Sequence, residues 1–288
     1  MKKVCVIGAD GQLGRELILA LQGSTQIKVT PLTIDDLDLL RHDDVRTYFH
    51  ANRFDIVVNC AAYTAVDLAE KEMAFNDALN NQAVRVLAAA CEKQGATFIQ
   101  ISTDFVFDGT QADLLKEEDQ TNPIQAYGRA KLEGEQWVKK GLVIRTSWLY
   151  SPFGNNFLKT MLKLGDERDS LNVVVNQIGT PTYAYDLAQA LVKICSSDEL
   201  ESKYGIYHFS NEGVASWYDF TQSIMEYAGI ACNIRAISDG AYPTAAARPK
   251  YSVLDKTKIK EAFEIEIPYW RDSVKACIKR IQENEGRN

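Results

Sequence analysis

The 288-residue sequence predicts an α/β fold, a doubly wound parallel sheet followed by a smaller α/β lobe. Three observations support this prediction. Short apolar runs rich in β-branched residues alternate with longer helical patterns over the first half of the chain, which is typical of a parallel sheet covered on both faces. A glycine-rich turn joins the first apolar run to the first helix. The second half is more mixed, without repeats or a flexible linker, and indicates a lobe folded onto the sheet.

Five strands and three helices are predicted for the first half of the chain. The strands are residues 4–7, 27–30, 55–60, 97–101 and 142–145. The helices run through residues 17–21, over residues 75–93 and over residues 127–140. Gly95 follows the second of these helices, in the position where glycine commonly ends a helix.

The second half of the chain predicts further helices and two strands. The strands are residues 171–175 and 206–209, and the helices are residues 155–164 and 184–194. Ser216 is expected to cap a helix that runs to residue 227, and Pro268 precedes a final helix that ends near residue 282. We therefore expect residues 1–150 to form the main domain, with segments near residues 180–210 returning to it. Residues 151–288 are expected to form mainly the second lobe, which binds the substrate.

Composition excludes several classes of protein. The formal net charge of −7 argues against nucleic acid as the main partner, because phosphate binding needs a basic surface. No apolar run reaches the ~20 residues that span a membrane, and the first apolar run is too short for a signal peptide. The six cysteines form no Cys-x-x-Cys pair, and the three histidines do not cluster with them, so neither disulfides nor a zinc site is expected. These features predict a cytoplasmic protein without membrane partners.

The glycine-rich turn predicts a dinucleotide site. Gly8, Gly11 and Gly14 have the spacing Gly-x-x-Gly-x-x-Gly, after a strand and at the start of a helix. The first glycine permits a tight turn, the second lets the backbone approach a diphosphate, and the third allows the helix to pack closely on the strand. The helix N-terminus then faces the anion. A purely structural turn is the alternative, but this strand–turn–helix context favours a Rossmann-like domain.

The sequence of the second strand does not decide between NADH and NADPH as the cofactor. An acidic residue usually ends this strand and binds the adenosine ribose, but the corresponding position is near Thr30. Asp38 lies further along, and either reaches the adenosine or belongs to a solvated loop. Small residues at positions 59–64 follow the third strand, where they allow either a cofactor or a helix to lie close to the backbone.

Tyr127 and Lys131 are the candidate catalytic pair. They lie four residues apart, on one face of a predicted helix. A cation beside a phenol favours the phenolate and lowers the pKa of the tyrosine, which would let Tyr127 donate a proton to a carbonyl oxygen. Lys131 would also hold the nicotinamide ribose. The alternative is an exposed helix face. Thr103, at the end of the fourth strand, either binds the carbonyl oxygen, tunes Tyr127 or belongs to a simple turn.

Together these motifs resemble the extended short-chain dehydrogenase/reductases. Five further segments narrow the resemblance to the dTDP-4-dehydrorhamnose reductase family, and they extend into the last third of the chain. They are residues 61–67, 145–148, 154–157, 177–182 and 247–249.

The resemblance implies reduction of the 4-keto group of dTDP-4-dehydro-β-L-rhamnose to give dTDP-β-L-rhamnose, with NADPH or NADH as the cofactor. It implies cofactor contacts from Gly11, Gln12, Leu13, Asp38, Leu39, Ala62, Tyr63, Thr64, Tyr127 and Lys131. It implies contacts to the sugar from Thr103, Asp104 and Trp148, with Tyr127 as proton donor. Arg248 is a candidate for the substrate diphosphate, because a guanidinium suits phosphate oxygens, and a surface salt bridge is its alternative.

Two further points concern assembly and departures from the family pattern. Some members of the family dimerise through a carboxylate-bound magnesium ion, for which Glu16 is a candidate ligand in a homodimer. Thr30 stands where an acid is usual, and Phe105 stands where an aromatic hydroxyl is often found.

Two other functions are alternatives to this predicted reductase activity. Another sugar-nucleotide reductase or epimerase is one; the related 4,6-dehydratases are disfavoured, because they need a pair of acids and Asp104 is followed by Phe105. A non-catalytic, dinucleotide-binding regulatory subunit of the same fold is the other. A scaffold would not require Thr103, Tyr127 and Lys131 together, so the sequence favours a catalyst.

Overall fold

The computed structural model of the chain describes residues 1–285. The strands are β1 (Lys2–Ile7), β2 (Ile27–Leu32), β3 (Ile56–Asn59), β4 (Thr97–Thr103), β5 (Gly141–Thr146), β6 (Leu149–Tyr150), β7 (Ser170–Val174), β8 (Ile178–Gly179), β9 (Thr182–Tyr183), β10 (Gly205–His208), β11 (Ala215–Ser216) and β12 (Asn233–Ile237). The α-helices are α1 (Gln12–Gln22), α2 (His42–Ala51), α3 (Val66–Ala69), α4 (Met73–Asp77), α5 (Ala83–Gln94), α6 (Ala126–Glu135), α7 (Phe157–Glu167), α8 (Ala184–Ser196), α9 (Trp217–Ala228), α10 (Thr257–Phe263) and α11 (Trp270–Glu285).

Six strands form one parallel sheet in the order β10-β5-β4-β3-β1-β2. From β1 the chain proceeds outward to β2 and then crosses to β3 on the opposite side. The strand order therefore reverses beside β1, and ligands of such sheets bind outside the carboxyl ends of the strands at this point. The predicted doubly wound α/β fold is confirmed.

Successive side chains of the central strands pack alternately into two separate apolar cores, one on each face of the sheet. Val4 and Val6 pack on one face of the sheet with apolar residues of α1, α8 and α10. Cys5 and Ile7 pack on the other face with α2 and α5. Both faces of β1 are buried because successive side chains of a strand point to opposite sides. This explains why the strands read as nearly continuous apolar runs.

A third apolar core lies in the C-terminal half and joins α7, α9 and α11 to the parallel pair β7 and β12. By contrast, α8 packs against α1, and β10 extends the main sheet beside β5. The domain boundary near residue 150 stays a prediction. Ser216 caps α9 through a reciprocal pair of hydrogen bonds with Asp219, and Gly95 ends α5 in a left-handed conformation with φ of +76°.

Two predicted helices differ from those observed. The helix expected over residues 75–93 is divided into α4 and α5 by a π-helical segment, Ala78–Gln82. There the Asn80 side chain accepts a hydrogen bond from the Tyr63 N–H at 3.1 Å and donates to the Tyr63 carbonyl at 2.9 Å, contacts that offset the wider turn. The helix expected over residues 127–140 ends at Glu135. Tighter backbone turns follow it and lead the chain into β5.

Candidate active site

The turn between β1 and α1 depends on glycine at two positions. Gly8 has a φ of +74°, and a Cβ added there would lie 2.7 Å from the backbone nitrogen of Ala61. A Cβ added to Gly14 would lie 2.1 Å from the carbonyl oxygen of Gly8. The helix therefore approaches the turn closely, and its first N–H groups are capped by no side chain, since Gly11 is the N-cap residue. Such a helix start is suited to an anion.

Two adjoining cavities lie at the carboxyl ends of the parallel strands. The smaller, of about 240 Å³, is lined by Gly8, Asp38 and Leu39 among others. The larger, which we call the catalytic cleft, has a volume of about 650 Å³. Gly11, Cys60 and Ala62 line both. The glycine turn and the two joined cavities fit an extended dinucleotide.

The predicted end of the second strand was wrong. β2 continues to Leu32, so Thr30 lies inside the strand and pairs with Cys5 of β1. Thr33 is the first residue after the strand, and it lines the smaller cavity. The carboxylate of Asp36 accepts hydrogen bonds from the backbone and the hydroxyl of Thr33. A neutral residue, Thr33, therefore follows the strand at the adenosine end of the cavity.

The catalytic candidates converge on the catalytic cleft. Thr103 ends β4, and Tyr127 and Lys131 project from α6; all three line the cleft. The Lys131 Nζ donates to the carbonyl of Ile101 at 2.6 Å. Gly128 permits this arrangement, because a Cβ there would lie 2.2 Å from the carbonyl oxygen of Phe105. The glycine inside the Tyr-x-x-x-Lys motif was a signal for this close packing that sequence reasoning missed.

The protonation of this pair differs from the prediction. Burial raises the pKa of Tyr127 well above its ordinary value, and the Thr103 hydroxyl opposes this effect only in part. Burial lowers the pKa of Lys131 to about 8, while Glu135 acts in the opposite direction. The expectation that Lys131 lowers the pKa of Tyr127 was therefore wrong for this structure, because desolvation dominates. Tyr127 carries its proton throughout the neutral range.

Asp104 is a buried acid at the edge of the same cleft. It is 2% exposed, and burial raises its pKa to about 7. Its Oδ1 accepts a hydrogen bond from the Thr103 hydroxyl at 3.1 Å. The Ser252 side chain opposes this shift by hydrogen bonding to the carboxyl group. Asp104 therefore places a buried acid at the edge of the cleft.

The raised pKa of Asp104 predicts a pH dependence of stability. The unfolded chain releases this proton near the ordinary pKa of 3.8, whereas the folded chain keeps it up to about pH 7. The ionisation therefore destabilises the fold increasingly as the pH rises through this window. We expect the free energy of unfolding of Asp104→Asn, relative to that of the unmodified chain, to increase from pH 4 to pH 7.

Urea unfolding at several pH values measures this difference, and groups common to both proteins cancel in it. Asp166→Asn is the matched control, because Asp166 is exposed on α7. A relative stability of Asp104→Asn that stays constant between pH 4 and 7 would contradict the assigned pKa.

Two tryptophans form one wall of the catalytic cleft. Trp148 has a φ of +46°, a conformation that is rare for residues other than glycine and that often marks a functional site. Its ring stacks on Trp217, with 3.6 Å between centroids and 10° between planes. Sequence reasoning proposed Trp148 and missed Trp217, which begins α9 almost 70 positions later. The hydrophobic pattern of α9 gave no sign that this side chain faces a cleft.

Arg248 lines the catalytic cleft, but it is also bound to a carboxylate. Its guanidinium forms two hydrogen bonds with Asp67, at 2.6 and 3.1 Å, and the pKa of that carboxyl is lowered. The ion pair holds the segment around residue 248 against α3. The position of Arg248 is thus compatible with both alternatives, a contact with the substrate diphosphate and a salt bridge.

The other predicted cofactor residues divide into two groups. Gln12, Leu13 and Thr64 line the catalytic cleft with Gly11 and Ala62. Tyr63 lies beside it: its hydroxyl donates to Glu72, and both its backbone groups bind Asn80. The cofactor contact of Tyr63 stays a prediction. A loop that was given no role also contributes to the cleft, through Gly154 and Asn155.

Glu16 does not form the anticipated metal site. It is 1% exposed, and both of its carboxylate oxygens accept hydrogen bonds from Arg280 of α11, at 2.8 and 2.7 Å. Within residues 1–285, no three side chains of the ligating types converge on a point that would hold a metal ion. Within one chain, the residues around Glu16 therefore do not form a magnesium site on their own. In the same part of the chain, no helix has the length and apolar character needed to cross a membrane.

Comparison with known proteins places the chain in one family. It matches the family model described as RmlD substrate binding domain over residues 1–283. It is 39% identical over 287 residues to dTDP-4-dehydrorhamnose reductase of Aggregatibacter actinomycetemcomitans, which covers 96% of this chain and 98% of that protein.

Solved structures give the same result. The fold is similar to that of a dTDP-4-dehydrorhamnose reductase from Clostridium acetobutylicum, with a TM-score of 0.92 and 40% identity over 97% of this chain and 99% of that one. It is also similar to the Bacillus anthracis dTDP-4-dehydrorhamnose reductase in complex with NADP, with a TM-score of 0.91 and 36% identity over 97% and 99%.

Proposed function

Because the chain belongs to the RmlD family, that of the dTDP-4-dehydrorhamnose reductases, we propose that it reduces the 4-keto group of dTDP-4-dehydro-β-L-rhamnose to yield dTDP-β-L-rhamnose. The observation that carries this proposal is the convergence of Thr103, Tyr127 and Lys131 at the carboxyl ends of the strands, beside a turn suited to a dinucleotide. The fold and the turn alone are equally compatible with a binding protein.

The dinucleotide would lie along the two joined cavities. Gly8, Asp38 and Leu39 would hold its adenosine end, and the first N–H groups of α1 would face its diphosphate. Lys131 would bind the nicotinamide ribose, in keeping with its place in the catalytic cleft. When bound, the reduced nicotinamide supplies the hydride for the carbonyl carbon.

Tyr127 would donate the proton that the reduction requires. A developing alkoxide takes a proton from the phenol, and the raised pKa of Tyr127 ensures that the phenol carries that proton at neutral pH. The Lys131 ammonium then stabilises the tyrosinate, although its Nζ is hydrogen-bonded to Ile101 before reaction. The Thr103 hydroxyl lies beside Tyr127 and would stabilise the tyrosinate by turning its hydrogen from Asp104 to the phenolate oxygen.

The sugar nucleotide would lie in the catalytic cleft against the wall formed by Trp148 and Trp217. The stacked Trp148 and Trp217 offer an apolar surface for a sugar or a base. Asp104, which lines the cleft, would form a hydrogen bond with a sugar hydroxyl. Arg248 would attract the substrate diphosphate only weakly, because the Asp67 carboxylate already neutralises the charge of its guanidinium.

We favour NADPH over NADH as the hydride donor. A similar reductase was solved in complex with NADP, and the residue that directly follows β2 is the neutral Thr33 rather than an acid. The cytoplasmic location and the homodimer stay predictions, and a magnesium-bridged dimer is not proposed.

A direct assay tests the function. The purified chain is incubated with dTDP-4-dehydrorhamnose and either NADPH or NADH, and cofactor oxidation is followed at 340 nm, while the product is identified by mass spectrometry. We expect turnover with both cofactors, with the higher kcat/KM for NADPH. A panel of dTDP- and GDP-linked 4-keto sugars serves as the control for specificity. Absence of turnover across the whole panel would overturn the reductase assignment.

A further inference from the structure

Beneath the catalytic helix lies a group of polar side chains that the mechanism above does not use. We call it the buried charge cluster. Its members come from four different elements, and none is more than 5% exposed. They are Ser102 of β4, Glu135 of α6, Arg145 of β5 and His208 of β10.

Glu135 is the centre of the buried charge cluster. The Arg145 guanidinium donates to it from two nitrogens, Nε to Oε1 at 3.0 Å and Nη2 to Oε2 at 2.7 Å. The Ser102 hydroxyl donates to Oε1 at 2.5 Å. Paired, charge-assisted bonds of this kind fix geometry strongly in a buried setting. The carboxylate therefore ties α6 to both β4 and β5.

The other polar neighbours of Arg145 in the described residues are His208 and Glu117. His208 Nδ1 lies 3.0 Å from the carbonyl of Leu115, so this nitrogen carries the hydrogen. Its Nε2 then accepts from Arg145 Nη1 at 3.5 Å. Burial lowers the pKa of His208 to about 3, so the ring is neutral. The Glu117 carboxylate lies nearby, but it accepts the backbone N–H of His208. Glu135 is thus the direct counter-ion of Arg145.

The same carboxylate lies one helical turn from the catalytic lysine. Tyr127, Lys131 and Glu135 follow each other at intervals of four residues, so they share one face of α6. Lys131 is 3% exposed, and a buried ammonium tends to lose its proton. Other titratable groups around Lys131 are Tyr127 and Asp104 in the cleft and Cys60 after β3. The Cys60 thiol is neutral, since burial raises its pKa, and Asp104 ionises above about pH 7 on the cleft side. Among these groups Glu135 favours the charged form of Lys131 most, and it shares one face of α6 with that lysine.

We propose that Glu135 is a positioning residue for the reaction: its carboxylate, fixed by Arg145 and Ser102, keeps Lys131 charged and holds α6 in register with β4. Ser102 immediately precedes Thr103, so one buried contact sets the spacing between all three catalytic side chains. This proposal rests on the role proposed above for Lys131.

The test is the pH profile of kcat/KM for Glu135→Gln. The amide keeps the shape and the contact with Ser102 but removes the charge. We expect the alkaline limb of the profile, where Lys131 loses its proton, to move to lower pH by about one unit or more, because a nearby opposite charge commonly shifts a pKa by 1–3 units. The matched control is Glu133→Gln, at an exposed position of the same helix, which should leave the limb unchanged.

A second variant separates electrostatics from folding. Glu135→Gln leaves Arg145 buried without a counter-ion, which destabilises a fold, whereas removing both charges of a buried pair is often tolerated. The double variant, Glu135→Gln with Arg145→Met, tests the proposal if the single variant does not fold. It also removes the positive charge of Arg145, which disfavours the Lys131 ammonium, so we expect its alkaline limb to move in the same direction but by less than in Glu135→Gln.

The outcomes distinguish this proposal from the proposed function. A folded single or double variant with an alkaline limb like that of the unmodified chain would overturn the role of Glu135. Full activity of Tyr127→Phe would instead overturn the proposed chemistry. Loss of activity in Tyr127→Phe, together with an unshifted limb in the Glu135 variants, would reject only the positioning role.

Discussion

Tyr127→Phe is expected to lower kcat by about 10²–10⁴, the usual contribution of a general acid, with little change in the dissociation constant of NADPH. The substitution removes only the hydroxyl. The ring would keep its packing against Phe105, with centroids 6.0 Å apart and planes at 78°. Because the shape of the catalytic cleft is retained, binding and proton donation are separated by this variant.

Single-turnover kinetics and a fluorescence titration with NADPH measure the two effects. Tyr185→Phe provides the control, since Tyr185 is 43% exposed. If Tyr127→Phe kept kcat within twofold of the unmodified chain, Tyr127 would not be the proton donor. If neither the unmodified chain nor Tyr127→Phe turned over the substrate while both bound NADPH, the alternative of a regulatory binding subunit would be favoured.

The second large effect is expected from Gly14→Ala. The new methyl would lie 2.1 Å from the carbonyl oxygen of Gly8 and 2.9 Å from the Cα of Ala9. Both are backbone atoms, so no change of rotamer relieves the contact and α1 must move away from β1. Overpacking of this kind costs about 1–3 kcal/mol in the free energy of unfolding. The displaced N–H groups of α1 should also weaken NADPH binding, because they would no longer face the diphosphate squarely.

Gly23→Ala is the matched control at the opposite end of the same helix. There the added Cβ would lie 3.6 Å from the nearest heavy atom, the carbonyl oxygen of Ala20, which is ordinary contact. Urea unfolding and an NADPH titration of both variants measure the difference. Equal stability and equal affinity of the two variants would show that the turn does not need glycine at position 14.

The sequence predicted those parts of the fold that depend on local patterns. Strands such as β3 and β5 are buried on both faces, so their apolar runs are nearly continuous and easy to find. The glycine turn and the Tyr-x-x-x-Lys motif have fixed spacings, which led to the catalytic cleft. Helix ends were less predictable, because the π-helical segment Ala78–Gln82 depends on a contact with a distant loop.

What the sequence did not predict depends on partners far apart along the chain. Trp217 stacks on Trp148 from a helix almost 70 positions further along the chain. Burial also reversed one inference: a cation four residues away suggested a lowered pKa for Tyr127, but desolvation, which needs three-dimensional structure to assess, outweighs it. The sequence also did not predict the ion pair between Glu135 and Arg145, since no motif in the segment around either residue indicates that the two are paired.

The ion pair between Glu16 and Arg280 has a consequence for synthesis of the chain on the ribosome. The two residues are 264 positions apart, so Glu16 is made on the order of tens of seconds before its partner. Until then the carboxylate on α1 has to stay hydrated, because a lone buried charge is costly. The surface of α1 around Glu16 is therefore covered only when α11 has been made, so the native fold is complete only after synthesis of the C-terminal helix.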